Sequence, residues 1–309
     1  VSVVSEIGGC SDKLLIFLGG NFSMLPINYY KTLRMGKKYQ TQNSLSPALA
    51  CALAYQSESD IVSQALLWGY DKAIFFEVQK GSSVDTQCYV MADQQHAVIV
   101  FRGSDNMKDW LANFSAVTDA GPLTKTRAHE GFQDALFPAV IRLTAILDQY
   151  NCKDKKIWIT GHSLAGALAS LYAGMLCENG YNVYGLYTFA SPRPGDAAFA
   201  EALNDKIEGL HYRVANAGDI VPHLPPEPFF SHSGKRIILK DHKRETTKRS
   251  WFQQRVEVLK EFIKNVGNAL DVSDNHRLND DQESYLPRLI EDLQRDVQKL
   301  AAKEKGLKF

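Results

Sequence analysis

Three side chains in this sequence have the types and settings needed to attack an acyl carbonyl. Ser163 stands in Gly161-His162-Ser163-Leu164-Ala165, directly after the apolar run Ile157-Trp158-Ile159-Thr160 and directly before an Ala- and Leu-rich stretch. A strand that enters a helix through one sharp corner holds a serine Oγ strained and exposed at a helix N-terminus, where backbone N–H groups and the helix dipole stabilise negative charge. The same short pattern also describes an ordinary strand-to-helix turn that contains a serine, so partners elsewhere must decide. The last position is Ala165 where an elbow pattern has glycine, so strand and helix must tolerate one methyl group; Gly166 beside it can relieve that crowding.

A serine nucleophile at neutral pH needs a base within hydrogen-bond reach and an acid that orients the base. On an α/β-hydrolase sheet the chain order is serine, acid, histidine. Asp196 and Asp219 both follow strand-like stretches, in Ser191-Pro192-Arg193-Pro194-Gly195-Asp196 and Asn216-Ala217-Gly218-Asp219. Four of the eight histidines lie beyond Asp219. His223 sits four residues on in a Val-Pro-His-Leu-Pro turn, His232 and His242 fall in a polar excursion, and His276 occupies Ser273-Asp274-Asn275-His276, a loop between two helices. That loop can reach back over a sheet edge, which favours His276 as the base over the solvated surface residue that a lone loop histidine usually is. His162, adjacent to the serine, is expected to point away from it.

The elements that would position these groups follow from periodicity. Ser46-Pro47 reads as an N-cap followed by the first helical position, and a second helix is expected over Ile61 to Trp68. Period-two stretches at Ala73 to Val78, Cys88 to Met91 and Ala97 to Phe101, separated by turn residues, read as three strands. Asp109 to Phe114 is expected to be a short amphipathic helix with Trp110, Leu111 and Phe114 on one side; such rings usually face the core, but a helix of this kind can also cover an apolar substrate groove. A longer helix runs from about Phe132 to Gln149, the elbow helix continues to about Asn179-Gly180, and strands follow at Val183 to Ala190 and His211 to Ala215. Strands alternating with helices over residues 128–219 argue for a parallel sheet with crossover helices, in which reactive groups gather at the carboxyl ends of the strands. Beyond Val221 the prolines 222, 225, 226 and 228 rule out a long helix until about Ser250. An amphipathic helix, Trp251 to Leu270, comes after the basic residues Lys240, Lys243, Arg244, Lys248 and Arg249. A final helix spans Tyr285 to Lys303. Residues 1–45 read as an N-terminal extension with one edge strand near Phe17.

Composition bounds the rest. With 309 residues, 45% hydrophobic and 23% charged, the chain can bury a sizeable core, and 35 basic against 35 acidic residues leave no global field to recruit nucleic acid. Cys10, Cys51, Cys88, Cys152 and Cys177 are scattered and odd in number, which suggests neither a disulfide framework nor a zinc site. No apolar run approaches the ~20 residues that span a bilayer. A soluble protein is expected; the first residue is Val1, and the compartment stays open between secreted and cytoplasmic. The basic segment reads first as solvated surface and second as a contact for anionic headgroups.

Taken in order, Phe101-Arg102-Gly103-Ser104, Gly161-His162-Ser163-Leu164, Thr188-Phe189-Ala190-Ser191-Pro192-Arg193, Asn216-Ala217-Gly218-Asp219-Ile220-Val221-Pro222 and Asp274-Asn275-His276 resemble the landmarks of the class 3 lipases, the group of fungal-type triacylglycerol lipases and feruloyl esterases. The resemblance implies an α/β-hydrolase domain over residues 46–309 with a mostly parallel sheet, helices on both faces, a lid-like segment at 105–115 and an insertion at 226–272. It implies a triad of Ser163, Asp219 and His276, and an oxyanion hole from the backbone N–H groups of Ser104 and Leu164, assisted by the Ser104 hydroxyl. The sequence departs from the family at Ala165, at Pro194-Gly195-Asp196 in place of Val-Gly-Asn, and in a longer gap between His276 and Tyr285. The expected activity is acylglycerol ester hydrolysis through an acyl-enzyme on Ser163, with an ester substrate at a lipid interface, no metal and no organic cofactor. Its alternatives are a short-chain or feruloyl-type esterase, a phospholipase, and an inactive α/β-hydrolase scaffold.

Overall fold

A computed structural model describes residues 25–80, 84–103, 117–240 and 274–304. Strands β1 (Lys72–Lys80), β2 (Val84–Ala92) and β3 (His96–Phe101) form an antiparallel meander. From β3 the sheet turns parallel through β6 (Lys156–His162), β7 (Val183–Phe189), β8 (Leu210–Asn216) and β9 (Lys235–Leu239), giving seven strands in the order β1-β2-β3-β6-β7-β8-β9. A small hairpin of β4 (Thr118–Ala120) and β5 (Arg127–His129) stands outside it. The antiparallel start needs only tight turns, whereas each parallel step needs a crossover, and the chain supplies helices for most of them.

Both faces of the sheet are covered, which is why its central strands β3, β6 and β7 are buried at nearly every position rather than at alternate ones. Ala97, Ile99 and Phe101 of β3 join Ile157 and Ile159 of β6 in one core, together with α3 (Glu130–Gln149), α4 (Leu164–Glu178) and α5 (Ala197–Lys206). Val98, Val100 and Trp158 face the other core, against α1 (Thr41–Leu53) and α6 (Tyr285–Glu304); α2 (Glu58–Leu67) contributes Ile61 and Ala65 there. Each fully buried side chain of this size contributes about 1.5–3 kcal/mol. The fold is the expected α/β-hydrolase architecture, mostly parallel with helices on both faces.

Two local readings change. The helix expected to start at Ser46 begins at Thr41 and carries Pro47 inside it. Ser46 does not cap; its hydroxyl accepts from the Lys31 N–H at 3.0 Å and donates to the Lys31 carbonyl at 2.7 Å, tying the preceding segment to the helix. Burial of nearly the whole of α1 offsets the ~3 kcal/mol that an interior proline costs. Leu25, Ile27, Tyr30 and Leu33 are buried in the same core as α1. Finally, β9 lies in the proline-rich stretch read as irregular. It starts just beyond the last of those prolines and pairs with β8 from Tyr212↔Lys235 to Asn216↔Leu239. The run near Phe17, the segment 105–115, the region 241–273 and the helix expected at Trp251 to Leu270 lie outside the described residues.

The parallel strands finish level. Phe101 pairs with Gly161, His162 with Phe189, and Phe189 with Val214, so the chain leaves β3, β6, β7 and β8 along one edge of the sheet.

Candidate active site

At that edge β6 turns into α4 through a single residue. Ser163 has φ 61° and ψ −133°, a conformation that costs a non-glycine residue about 1–3 kcal/mol. The corner is held by the Ser163 N–H donating to the Phe189 carbonyl at 2.8 Å and the Gly166 N–H donating to the Ser163 carbonyl at 2.9 Å. Two glycines allow the tight approach. A Cβ on Gly161 would lie 2.2 Å from the Ala165 carbonyl oxygen, and one on Gly166 would lie 2.5 Å from Cβ of Ser191. Ala165 itself is fully buried in the core on the α3 side, so the sheet accommodates its methyl group.

Ser163, His276 and Asp219 come together as one hydrogen-bonded chain. His276 Nε2 lies 2.9 Å from Ser163 Oγ, and His276 Nδ1 lies 3.1 Å from each carboxylate oxygen of Asp219. An ionised carboxylate only accepts, so Nδ1 carries the proton and Nε2 is left to accept from the serine hydroxyl. Asp219 is held from further directions: the Val221 N–H donates to Oδ1 at 3.0 Å, and the Tyr285 hydroxyl donates to Oδ2 at 2.7 Å. Burial, then the Asp219 charge, push the Tyr285 phenol well above its ordinary range, so it stays a donor. The same hydroxyl accepts from the Asn216 N–H at 2.9 Å, and the Asn216 amide donates to the carbonyls of Asn275 at 2.7 Å and Glu283 at 3.0 Å. The end of β8 thereby pins both flanks of the loop that carries His276. Ser163, Asp219 and His276 are 2%, 1% and 4% exposed.

His162 turns away from the serine hydroxyl, and its Nε2 meets the His276 carbonyl at 2.7 Å, with the two rings 5.0 Å apart. A carbonyl only accepts, so Nε2 is protonated. Burial first, and His276 second, hold the His162 ring well below the ordinary histidine range, so it supplies an N–H without placing a second positive charge beside an imidazolium at His276. His162→Phe removes this donor while keeping a ring. With p-nitrophenyl butyrate as the test ester, we expect turnover to fall about tenfold to a hundredfold with KM within about twofold, because a small displacement of the His276 ring relative to Ser163 costs rate rather than binding. His162→Gln, which can restore an N–H, should recover part of the loss; an unchanged kcat in His162→Phe would show that this contact does not position the base.

Other sequence candidates fall elsewhere. Asp196 is the N-cap of α5, accepting from the Phe199 N–H at 2.7 Å. His223 sits in a short 3-10 turn, and His232 is bound to the Pro222 carbonyl at 2.7 Å. Leu164 follows the serine as the first residue of α4. Ser104, Trp110, Leu111, Phe114 and His242 lie outside the described residues, but Gly103 packs against the elbow: a Cβ there would stand 2.8 Å from the His162 carbonyl oxygen and 3.7 Å from Ser163 Cβ. Sequence reasoning assigned no part to Tyr285 and expected only that His162 would turn aside. The signal for Tyr285 was its place after His276; for His162 there was none beyond adjacency to the serine. Cys51, Cys88 and Cys152 are buried; burial pushes the Cys51 thiol up to about 12 and takes it out of nucleophilic chemistry. Among the described residues, no group of three or more acidic, histidine or cysteine side chains could hold a metal ion, and no helix is long and apolar enough to cross a membrane.

Residues 98–229 match the family model described as Lipase (class 3). The chain is 39% identical over 158 residues to a lipase of Rhizomucor miehei, covering 48% of this chain and 43% of that protein. It is 34% identical over 125 residues to phospholipase A1-II 4 of Oryza sativa subsp. japonica, covering 38% of this chain and 30% of that one. The solved structure of Rhizomucor miehei triacylglyceride lipase superposes with a TM-score of 0.53 at 29% sequence identity, covering 67% of this chain and 83% of that chain. The matched region spans less than half the length of these two curated relatives.

Proposed function

Since residues 98–229 of this chain belong to the class 3 lipase family, we propose that the protein is a serine carboxylic-ester hydrolase acting on acylglycerols. The observation that carries the reading is the continuous chain from Ser163 Oγ through His276 to Asp219 at the carboxyl edge of the parallel sheet. In this reading Oγ attacks the ester carbonyl while Nε2 of His276 takes its proton. Asp219 holds the ring in the required tautomer and stabilises the imidazolium that forms. The N–H of Leu164, at the start of α4, and that of Ser104 would receive the oxyanion of the tetrahedral intermediate. His276 then returns the proton to the leaving alcohol, and water repeats the steps on the acyl-enzyme.

The 2% and 4% exposure of Ser163 and His276 supports a site that opens before an acyl chain enters. The segment 105–115 is the proposed cover and a lipid surface the setting. A second reading, a phospholipase acting on glycerophospholipid esters, is favoured by the rice relative.

The test is hydrolysis of p-nitrophenyl butyrate, p-nitrophenyl palmitate, an emulsified triacylglycerol and phosphatidylcholine by the full chain. We expect cleavage of palmitate and triacylglycerol, faster once substrate exceeds its solubility. Cleavage of phosphatidylcholine alone would select the phospholipase. Cleavage of butyrate alone would replace both with a small-pocket esterase, and no cleavage together with no labelling by a fluorophosphonate would leave an inactive scaffold.

A further inference from the structure

The loop that carries His276 is held differently on its two sides. After His276, the Tyr285 N–H donates to the Arg277 carbonyl at 3.1 Å and the Leu286 N–H to the Leu278 carbonyl at 2.8 Å, so that side is closed by backbone against the start of α6. Before His276 the hold comes from Asn275. Its carbonyl accepts from the Asn216 side-chain amide of β8 at 2.7 Å. Its own amide lies over Gly218: a Cβ on that residue, whose φ is 92°, would stand 3.3 Å from Asn275 Nδ2. Its Oδ1 accepts from Arg288 Nη2 at 3.1 Å. Arg288 follows Tyr285 by three residues, so the first turn of α6 presents the phenol to Asp219 and the guanidinium to the residue before His276. This setting is costly for an arginine. Arg288 is buried, which arginine rarely is unless paired with a charge. It lies in the first turn of a helix, where the dipole opposes a cation. Among the described residues Nη1 has no hydrogen-bond partner, and the partner of Nη2 is a neutral amide rather than a carboxylate.

We propose that Arg288 is a positioning residue for the base: through Asn275 it fixes the chain entering His276, so that Nε2 stays 2.9 Å from Ser163 Oγ while Nδ1 faces Asp219. The proposal rests on the hydrolase reading of Ser163, His276 and Asp219. In that reading the imidazole takes a proton from the serine and returns it to the leaving alcohol, and both transfers need the ring at hydrogen-bond distance while its charge changes. The bond from Asn216 to the Asn275 carbonyl leaves the peptide free to rock about it; the side-chain bond to Arg288 is a second fixed point away from that axis. A planar guanidinium loses little freedom for each hydrogen bond it makes, which suits it to this use. A misplacement of about 1 Å costs ~10²-fold in rate, so the smaller shift of a loop that keeps its other bonds should cost about tenfold.

The test compares Arg288→Met, Arg288→Lys, Asn275→Ala and the double variant Arg288→Met with Asn275→Ala, in the full chain, with p-nitrophenyl butyrate. Methionine keeps an unbranched chain and removes a desolvated charge, so the urea midpoint of Arg288→Met should stay close to wild type while turnover falls about tenfold and KM moves less than about twofold. Arg288→Lys, which can still donate to Asn275 Oδ1, should recover part of the loss. Asn275 is only partly buried, so Asn275→Ala probes the same contact from a side whose truncation leaves the core intact. It should lose a similar amount, and the double variant should fall within about twofold of the worse single one, because both remove one contact. Turnover within about twofold of wild type in Arg288→Met, losses that multiply in the double variant, or a loss that follows the urea midpoint without recovery in Arg288→Lys each overturns the proposal. A readout without turnover separates it from the hydrolase reading: the downfield proton NMR resonance of His276 Nδ1–H, assigned by its loss in His276→Gln. A resonance that shifts or broadens in Arg288→Met and Asn275→Ala and returns in Arg288→Lys supports the positioning role even in a chain that cleaves no ester, and an unchanged resonance overturns it.

Discussion

Ser163→Ala is expected to lower kcat for ester hydrolysis by at least about 10⁴-fold while leaving the thermal transition within a few degrees of wild type. The substitution removes one oxygen and leaves Cβ in place, so the turn at φ 61° and both backbone bonds that hold it are kept. What disappears is the atom 2.9 Å from His276 Nε2, the only part of the arrangement that can form an acyl-enzyme. Oxyanion donors and substrate binding alone leave a residual ~10³–10⁴-fold over water in a studied serine protease, so activity should be detectable but low. Stability should fall only toward the lower end of the ~1–3 kcal/mol that an unsatisfied buried group costs, because the deleted hydroxyl leaves a single acceptor, His276 Nε2, without its partner while the turn is kept. The check is a burst assay with p-nitrophenyl butyrate alongside fluorophosphonate labelling. A variant that turns over within about tenfold of wild type would remove Ser163 as the nucleophile and with it the whole reading of the site.

Asp219→Asn should cost nearly as much activity, about 10⁴-fold in kcat, by a different route. The two carboxylate oxygens each receive a donor besides His276: the Val221 N–H on Oδ1 and the Tyr285 hydroxyl on Oδ2. An asparagine amide must put its NH₂ where one of these donors already points, leaving donor facing donor at a side chain that is fully buried. His276 Nδ1–H loses its charged acceptor, and the ring is driven toward the tautomer with the proton on Nε2. That proton then faces Ser163 Oγ, where an acceptor is required. We expect a stability loss of about 1–3 kcal/mol from the unmatched buried donor, read as a lower urea midpoint at unchanged m-value. Retention of kcat within about tenfold would show that Asp219 does not set the tautomer, and Asp196 does not compete for the role, since its carboxylate is already spent on capping α5.

Asp196 and Asp219 also show how far the chain could be read unaided. Both follow strand-like stretches at the same kind of sheet edge, and nothing in either local segment says that one caps a helix while the other meets an imidazole. The order of residues along the chain was enough to favour His276 over His223, His232 and His242. It did not reveal the role of Tyr285, which reaches Asp219 across 66 residues, or that of His162, which reaches His276 across 114. Pro47 misled for the opposite reason: local propensity places proline at the first helical turn, but burial along α1 outweighed it. The strand β9 was hidden because its pairing with β8, rather than any strong alternation of its own, makes it a strand.

By itself the amino-acid sequence determined the elements whose cause is local. The apolar run, Gly161, Ser163 and Gly166 specify a strand, a corner and a helix within ten residues, because sterics and side-chain period act at that range. Only the tertiary structure decided which acid, which base and which supporting donors meet at the corner. Those contacts depend on how the ends of β3, β6, β7 and β8 align and on where the loop before α6 is pinned, and such closures are set by packing over the whole sheet, beyond the reach of any short stretch of chain.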